Sequence, residues 1–281
     1  MPNNPSLGFE HRSCWSQADM NYPECPQCHA QGKAKLHLQA PRFLRCDECG
    51  VMYRDPFPNA ASLARLYYEG WKCPTSNTRE TGSTDTAIAS SLLDSLVKTL
   101  GGRSLVGMRV LDYGAGRGAM ALELKKRGAD VVAVEPFGCD YLIELGVSTY
   151  RDLFGLPATL RFDGIVCLEV IEHLRDPRGV LASLYGRLSS GGWLLVTTPN
   201  AAGLPAKLMG QRWREAAKPG HIVLFTRAAL RKILLEIGYC DVRQPRWFIR
   251  YPDASLSRAV AHFGMQGLGI DGSVRIVARR P

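Results

Sequence analysis

The stretch 109-RVLDYGAGRGAMALEL-124 decides the fold of this chain. A short apolar run is followed by Asp112 and then by three glycines at alternate positions, Gly114, Gly116 and Gly118. The run predicts a buried strand, and the alanine- and leucine-rich segment after the glycines predicts a helix. Glycine permits a tight turn and carries no Cβ that would obstruct a ligand, so we expect the turn between them to be a cofactor loop.

Strand and helix patterns alternate on both sides of this loop. Strands are predicted at 109–114, 130–135, near Ser148, at 162–170 and at 193–199, and helices at 85–100, 118–128, 139–146 and 178–192. A late helix at 226–238, with Thr226 as its N-cap, follows this region. The alternation predicts an α/β fold with a doubly wound parallel sheet.

Two carboxylates indicate the kind of cofactor. The Gly-x-Gly-x-Gly spacing differs from the Gly-x-Gly-x-x-Gly of dinucleotide folds, and Asp112 beside the loop disfavours a phosphate. That aspartate suits a cationic cofactor that bears an amine. Glu135 ends the second strand of the alternating region, where its two oxygens can accept hydrogen bonds from both hydroxyls of a ribose. Together they favour S-adenosylmethionine over NAD.

Over residues 105–280 the chain resembles the class I S-adenosylmethionine-dependent methyltransferases. The motifs that carry the resemblance are VLDYGAGRG (110–118), VVAVEP (131–136), FDGIVCLEVIEHLRDP (162–177), GGWLLVTTPN (191–200) and GHIVLFT (220–226). The resemblance implies a mainly parallel sheet of seven strands, to which segments 239–250 and 272–280 contribute an antiparallel hairpin. It also implies that Asp112, Tyr113, Gly114, Gly116 and Gly118 surround the methionine part of the cofactor, that Glu135 and Pro136 hold the ribose, that Asp152 or Leu153 meets the adenine, and that Leu168 and Glu169 line the site.

Two histidines are candidates for a catalytic base. Methyl transfer from a sulfonium is an in-line displacement, which requires an aligned acceptor and removal of any proton that the acceptor carries. His173 follows the fourth strand and His221 lies beyond the fifth, so we expect both at the carboxyl edge of the sheet, where open α/β folds bind ligands. A structural histidine that bonds to its own loop is the alternative at each position.

The pentapeptide EVIEH (169–173) also resembles the Glu-x-x-Glu-His of ubiquinone-pathway O-methyltransferases. That resemblance implies a divalent metal at Glu169, Glu172 and His173, although the same pentapeptide fits many methyltransferases without a metal. No Asn/Asp-Pro-Pro-aromatic sequence follows the fourth strand, so we do not expect methylation of the exocyclic amines of DNA bases.

Near the N-terminus, two Cys-x-x-Cys pairs have the spacing of a structural zinc site. The four cysteines are Cys25, Cys28, Cys46 and Cys49, with 17 residues between the pairs. Two such knuckles joined by a hairpin predict tetrahedral Zn²⁺ with four thiolates; His29 and His37 are substitute ligands, and free thiols are the alternative. The other cysteines are scattered, which suits a reducing compartment.

The domain organisation follows from these motifs. We expect a flexible leader at 1–20, a zinc ribbon at 21–58, a helical linker or lid at 59–104 and the methyltransferase domain at 105–281. In the linker, Tyr67, Tyr68 and Trp71 are candidates to cover the cofactor, with ordinary packing as the alternative. The sequence shows no apolar run of about 18 residues and no signal-peptide pattern, so we expect no membrane span and a cytoplasmic location.

A basic tract bears on the acceptor. The net charge is +9, and residues 207–232 hold seven lysines or arginines against one acidic residue, Glu215. Within it, Arg212, Arg214, Lys218 and Arg227 predict contact with an anionic acceptor, such as a diphosphate or a carrier protein; a solvated basic surface is the alternative. Trp213 is a candidate to line the acceptor pocket.

The preferred acceptor is a small molecule in a biosynthetic pathway, methylated on oxygen, nitrogen or carbon. A four-cysteine module before this core resembles sugar C-methyltransferases and related natural-product enzymes; those sugar enzymes carry a further C-terminal domain, whereas this sequence ends at Pro281. One alternative is an RNA methyltransferase of the ribosomal guanine type, which also has a zinc module and for which the basic, aromatic segment 243–251 would contact the phosphate backbone. A non-catalytic zinc-ribbon binding protein is the other.

Overall fold

The computed structural model describes residues 24–32, 34–39, 41–72, 83–247 and 256–281. The leader expected at 1–20 and the last part of the basic, aromatic segment, 248–251, lie outside the described residues. Within the described ranges, no helix is long and apolar enough to cross a membrane.

The strands and helices follow in chain order. The strands are β1 (Ala34–Gln39), β2 (Arg42–Cys46), β3 (Met52–Arg54), β4 (Arg109–Tyr113), β5 (Asp130–Val134), β6 (Ser148–Tyr150), β7 (Phe162–Leu168), β8 (Leu188–Pro199), β9 (Val223–Leu224), β10 (Cys240–Arg243) and β11 (Ser273–Arg279). The α-helices are α1 (Ala60–Lys72), α2 (Ser83–Thr99), α3 (Ala119–Lys126), α4 (Cys139–Glu144), α5 (Pro177–Arg187), α6 (Leu204–Met209), α7 (Arg214–Ala217), α8 (Arg227–Ile237) and α9 (Leu256–Leu268). Two 3-10 helices lie at Ile171–His173 and Gly210–Arg212.

The central sheet has seven strands in the order β10-β11-β8-β7-β4-β5-β6. The pairs from β8 to β6 are parallel, and β11 and β10 complete the sheet with antiparallel pairs. The predicted α/β fold with a mainly parallel sheet is therefore confirmed. The strand order reverses between β4 and β7, and the carboxyl ends of strands at such a switch point form the ligand crevice of open α/β sheets.

Local sequence determines where the helices begin and end. The side chain of Asp176 accepts a hydrogen bond from the N–H of Gly179 at the start of α5, with Pro177 in the first turn. The predicted N-cap of α8 is confirmed, since Thr226 Oγ1 accepts from the N–H of Ala229 at 3.1 Å. Gly238 ends α8 in the left-handed region that glycine permits.

The prediction of helix over 178–192 is wrong at its C-terminal end, because α5 stops at Arg187. Leu188 already pairs with Phe162, and the backbones of Gly191 and Gly192 exchange hydrogen bonds with Arg280. Serine and glycine have low helix propensity, so residues 189–192 join the sheet edge instead.

A second, small sheet carries the four cysteines and is antiparallel, in the order β1-β2-β3-β9. Its last strand, β9, comes from the region after β8, and Phe225, which follows β9, forms a bridge with Asn200 at the end of β8. The small sheet is therefore completed by residues that also contact the central sheet.

Candidate active site

The glycine loop lies where β4 turns into α3. Gly114, Gly116 and Gly118 all have positive φ, 77°, 53° and 84°, a region that residues with a Cβ rarely adopt. A Cβ on Gly114 would lie 2.4 Å from a methyl carbon of Val170, so the loop packs directly against the end of β7. The sequence prediction of a close-packed glycine turn at this edge agrees with that geometry.

Glu135 joins the glycine loop to the turn after β5. Its Oε2 accepts from the N–H of Gly116 at 2.8 Å, and its Oε1 accepts from the N–H of Phe137 at 3.1 Å. The side chain is buried at the carboxyl end of β5, next to the loop. Pro136, the next residue, is exposed.

Asp112 lies beneath the same loop and is buried. Its Oδ2 has no hydrogen-bond partner among the described residues. Burial, with a smaller contribution from the charge of Glu135, raises the pKa of Asp112 to about 7. A hydrogen bond from the backbone of Ala121 lowers this pKa and only partly offsets the burial. A buried carboxylate with one unpartnered oxygen is costly unless a positive group neutralises it, so this donor set fits a cationic cofactor.

The remaining predicted cofactor residues also follow strand ends. Asp152 Oδ1 accepts from the N–H groups of Phe154 and Gly155, so this carboxylate holds a turn after β6. Leu153 is half-buried, as is Leu168 at the end of β7. Glu169 has a positive φ of 54°, which is rare for a residue with a side chain and occurs most often at functional sites.

His173 and His221 lie together at the carboxyl edge, with ring centroids 4.7 Å apart. His173 Nδ1 lies 2.9 Å from the carbonyl oxygen of Gly220 and 2.9 Å from the hydroxyl of Tyr67, which also donates to that carbonyl at 2.9 Å. A carbonyl oxygen only accepts hydrogen bonds, so we assign the ring proton of His173 to Nδ1 and the lone pair to Nε2.

The two histidines differ in exposure and in basicity. The side chain of His173 is 27% exposed and that of His221 is 4% exposed. Burial lowers the pKa of His173, and burial together with the nearby charges of His173, Lys218 and Arg54 lowers the pKa of His221 to about 2. His221 is therefore a poor proton acceptor, whereas His173 is partly exposed.

Glu172 lies against the same pair. It is fully buried, its Oε2 accepts from the hydroxyl of Thr198 at 2.9 Å, and its Oε1 is 4.0 Å from His173 Nε2. Ligand atoms of Glu172, His173 and His221 all lie within 4.8 Å of one another. Glu169 is not part of that group, because its Oε1 accepts from the hydroxyl of Thr197.

Helix α1 contacts both His173 and the turn that follows Glu135. Tyr67 packs against Phe137, with ring centroids 5.8 Å apart, as well as contacting His173. One turn later, Trp71 covers Gly138, where a Cβ would lie 2.3 Å from the indole ring. Tyr68 points elsewhere, with half of its surface exposed.

The four cysteines of the small sheet form a cluster. Cys25 Sγ lies 3.5 Å from Cys49 Sγ, and Cys28 Sγ lies 3.6 Å from Cys46 Sγ. These separations are far longer than a disulfide bond and close to the roughly 3.8 Å expected between thiolates on one tetrahedral zinc. The cluster therefore fits the predicted ion, while His29 and His37 are not part of it.

The basic tract does not form one patch. Arg214 and Lys218 both pair with Glu215, whereas Arg227 donates to the carbonyl of Gln266 in α9. Trp213 is buried. It packs in a hydrophobic cluster with Phe43, Met52, Ala201, Ala216 and Leu224. Trp213 thus packs against the small sheet and does not line an open pocket.

Sequence analysis missed three residues of this region. Tyr67 was considered only as a residue that covers the cofactor, and Glu172 only as a ligand of an alternative metal site. No role was predicted for Arg54. Arg54 carried the clearest signal, because it is a single arginine within the buried run 51–54 of the four-cysteine module. Sequence spacing could not reveal its partners, which lie more than 160 positions away along the chain.

Comparison with known proteins identifies the domain. A family model described as "Methyltransferase domain" (Methyltransf_23) matches residues 86–244, more than half of the chain. The chain belongs to this methyltransferase family. With the glycine loop, Asp112 and Glu135 in place, it is an S-adenosylmethionine-dependent methyltransferase.

Relatives and solved structures agree with the family. This methyltransferase is 33% identical to a ubiquinone biosynthesis O-methyltransferase of Pseudomonas entomophila over 110 residues, 34% of this chain and 47% of that protein. The chain thus spans about half the length of the curated relatives it matches. Its fold resembles that of magnesium protoporphyrin IX methyltransferase (ChlM) from Synechocystis PCC 6803 with bound SAM, at a TM-score of 0.51 and 17% identity, covering 79% of this chain and 100% of that one. The fold also resembles that of the plantazolicin methyltransferase BpumL in complex with SAH. The TM-score is 0.50 and the sequence identity is 16%, and the match covers 79% of this chain and 98% of that one.

Proposed function

We propose that this methyltransferase transfers a methyl group to a hydroxyl group of a small-molecule acceptor, with His173 as the general base. The observation that carries the proposal is the orientation of the ring: the carbonyl of Gly220 holds Nδ1, so the lone pair is on Nε2 of a side chain that is 27% exposed. The similarity to ubiquinone biosynthesis O-methyltransferases supports oxygen as the acceptor atom.

The residues of the chain align the acceptor and take its proton. S-adenosylmethionine supplies, when bound, a methyl group on a positively charged sulfur. His173 takes the proton of the acceptor hydroxyl at Nε2, while Nδ1 continues to donate to Gly220. The hydroxyl of Tyr67 shares that carbonyl and fixes the ring. His221, too weakly basic to take the proton itself, packs edge-on against the base and orients it.

The cofactor would be held along the strand ends at the switch point. Gly116 leaves open space for its methionine part, while Gly114 and Gly118 let the loop pack against Val170 and Leu142, after Asp112 and Tyr113 at the end of β4. Glu135, beside Pro136, would accept from the ribose hydroxyls with the lone pairs that the N–H groups of Gly116 and Phe137 do not use. Asp152, Leu153, Leu168 and Glu169 line the rest of the proposed cleft. In the small sheet, Cys25, Cys28, Cys46 and Cys49 would hold a structural Zn²⁺.

An anionic or carrier-linked acceptor would approach over the loop between α6 and α7. Arg212 ends the 3-10 helix in that connection and Arg214 begins α7, whereas Arg227 donates to the carbonyl of Gln266 in α9. If the double variant Arg212→Ala/Arg214→Ala keeps the acceptor KM of the wild type, this contact is excluded. An RNA acceptor is the alternative that the same arginines would serve.

A second candidate is a divalent ion at Glu172, His173 and His221, favoured by their mutual distances below 4.8 Å. In that case His173 would be a ligand and not a base. Dialysis against a chelator that leaves the cysteine-bound zinc in place separates the two. The base mechanism predicts unchanged activity; loss of activity with recovery on adding Mg²⁺ or Mn²⁺ supports the ion.

The test uses methyl-labelled S-adenosylmethionine, a cell extract as the source of acceptors, and two variants. Transfer to small molecules should fall by roughly 100-fold or more in His173→Ala and by a smaller factor in His221→Ala. Because the base must be unprotonated and its pKa is lowered, the wild-type rate should be constant at neutral pH and fall only below pH 6.5. Equal activity of His173→Ala and wild type would refute the proposed base.

A further inference from the structure

The small sheet is joined directly to the residues that hold the proposed base. Strands β3 and β9 pair antiparallel, and the backbone N–H of Arg54 extends the ladder by donating to the carbonyl of Ile222 at 2.9 Å. Ile222 in turn donates its N–H to the carbonyl of Glu172 at 2.9 Å. The ladder therefore runs from the four-cysteine module to the residue that precedes His173.

The side chain of Arg54 adds a second connection. It is 7% exposed, and its Nε donates to the carbonyl of His221 at 3.0 Å. Its Nη2 donates to the carbonyls of Ala216 and Lys218, at 2.9 and 2.8 Å. The guanidinium also lies over the ring of Phe43, 5.1 Å from the ring centroid. One buried cation thus binds both ends of the loop 216–221.

This loop presents the carbonyl that orients His173. Gly220 lies between Lys218 and His221, whose carbonyls Arg54 holds, and the N–H of His221 donates back to Lys218 at 3.1 Å. A Cβ on Gly220 would lie 2.9 Å from the hydroxyl of Tyr67. The loop therefore has little room to move without breaking the contact between Gly220 and His173.

Arg54 also contributes to the charge around the histidines. The groups that face His221 come from several elements: Arg54 (β3), Glu172 and His173 (after β7), Glu215 (α7) and Lys218 (the loop). Burial, His173 and Lys218 lower the pKa of His221 more than Arg54 does, and the positive charge of Arg54 adds to the same shift.

We propose that Arg54 is a positioning residue of the methyltransferase: by binding three carbonyls of loop 216–221 it sets the orientation of His173, which makes the four-cysteine module a working part of the acceptor site. The inference rests on the proposed function for the identity of the base. Arginine suits this role because its planar fork can reach several carbonyls at once, whereas lysine offers a single charged point. Nothing comparable ties the module to the glycine loop among the described contacts.

Two substitutions separate charge from geometry, and a third is the control. Arg54→Lys keeps the positive charge but not the planar guanidinium group. Arg54→Met keeps part of the aliphatic side chain and removes the charge. Arg45→Met removes an exposed arginine from β2, in the same small sheet. Circular dichroism, zinc content and the affinity for S-adenosylmethionine show whether each variant folds.

The measurement is made on the full-length, zinc-loaded protein and needs no acceptor. Long-range proton–nitrogen NMR of the histidine rings reports which nitrogen of His173 carries the proton, and hydrogen exchange reports the N–H groups of His221 and Ile222. In Arg54→Met we expect loss of the single Nδ1–H form, exchange roughly 10-fold faster or more at both amides, and a raised pKa of His221. Arg54→Lys should recover the pKa but not the exchange protection, and Arg45→Met should match the wild type.

The outcomes distinguish failure of the positioning role from failure of the proposed function. If Arg54→Met, or Arg54→Lys where the methionine variant does not fold, retains the His173 tautomer and both protected amides, Arg54 has no positioning role. If the tautomer and the amide protection change, but His173→Ala transfers methyl groups at the wild-type rate, the positioning role of Arg54 is supported and His173 is not the base.

Discussion

The hydroxyl of Tyr67 lies 2.9 Å from Nδ1 of His173, and this contact joins helix α1 to the carboxyl edge of the sheet. Both groups share the carbonyl of Gly220. A helix that precedes the methyltransferase core along the chain therefore helps to orient the proposed base, and the site draws on α1, β7 and the loop before β9.

Tyr67→Phe should lower the rate of methyl transfer by roughly tenfold, because the carbonyl of Gly220 loses one donor and the ring of His173 loses a constraint. The assay is the initial rate of label transfer to small molecules from S-adenosylmethionine. Tyr68→Phe, the adjacent residue with an exposed side chain, is the matched control and should match the wild type. Equal rates for both variants would mean that the Tyr67 contact does not matter for the reaction.

Gly138→Ala should weaken cofactor binding. The φ of Gly138 is −104°, which alanine adopts without strain, but the new methyl group would displace Trp71 from the turn after Glu135. We expect the Kd for S-adenosylmethionine, measured by calorimetry, to rise by about tenfold, equivalent to 1.4 kcal/mol. Gly186→Ala in α5, which has nothing within 4 Å, is the control. An unchanged Kd would show that the position of Trp71 does not affect cofactor binding.

Asp112→Asn should stabilise the protein at pH 8 and weaken cofactor binding. An acid whose pKa rises from 3.8 to about 7 on folding destabilises the fold when it must ionise, so its cost grows between about pH 4 and 7 and is full above pH 7. The variant should unfold at a higher temperature than the wild type at pH 8, with the difference shrinking toward pH 4. A lower melting temperature at pH 8 would contradict the cost that we assign to the buried carboxylate, whose Oδ2 has no partner among the described residues.

If the four cysteines hold zinc as proposed, Cys46→Ser should lose the ion and unfold at a temperature several degrees lower, because one of the four ligands is gone. Metal content and thermal unfolding are measured on the same sample. Cys240→Ser, outside the cluster, should change neither. If the wild-type protein contains no zinc and unfolds at the same temperature as Cys46→Ser, the four thiols are free.

Much of the catalytic core could be predicted from local sequence. The glycines of the loop, the strand that ends at Glu135 and the cap at Thr226 depend on contacts within a few residues, and the structure places each where its pattern indicates. The helix predicted over 178–192 failed at its end because residues near the C-terminus, around Arg280, pair with Gly191 and Gly192.

The acceptor side could not be predicted in the same way. The pairing of β3 with β9, the clamp of Arg54 on His221 and the contact of Tyr67 with His173 each join segments more than 100 residues apart. No periodicity or spacing encodes such pairs. The basic tract looked uniform along the chain, yet folding separates Arg227 from Arg214 and Lys218.

The most direct test of the central claim is the fate of the methyl group itself. The wild-type protein is incubated with ¹³C-methyl S-adenosylmethionine and an extract, which is then separated into small molecules, RNA and protein, and the carbon chemical shift of the transferred methyl is measured in each fraction. The account predicts an oxygen-bound methyl group in the small-molecule fraction, absent with His173→Ala. Label in RNA, or a nitrogen- or carbon-bound methyl group in the small molecules, would contradict it.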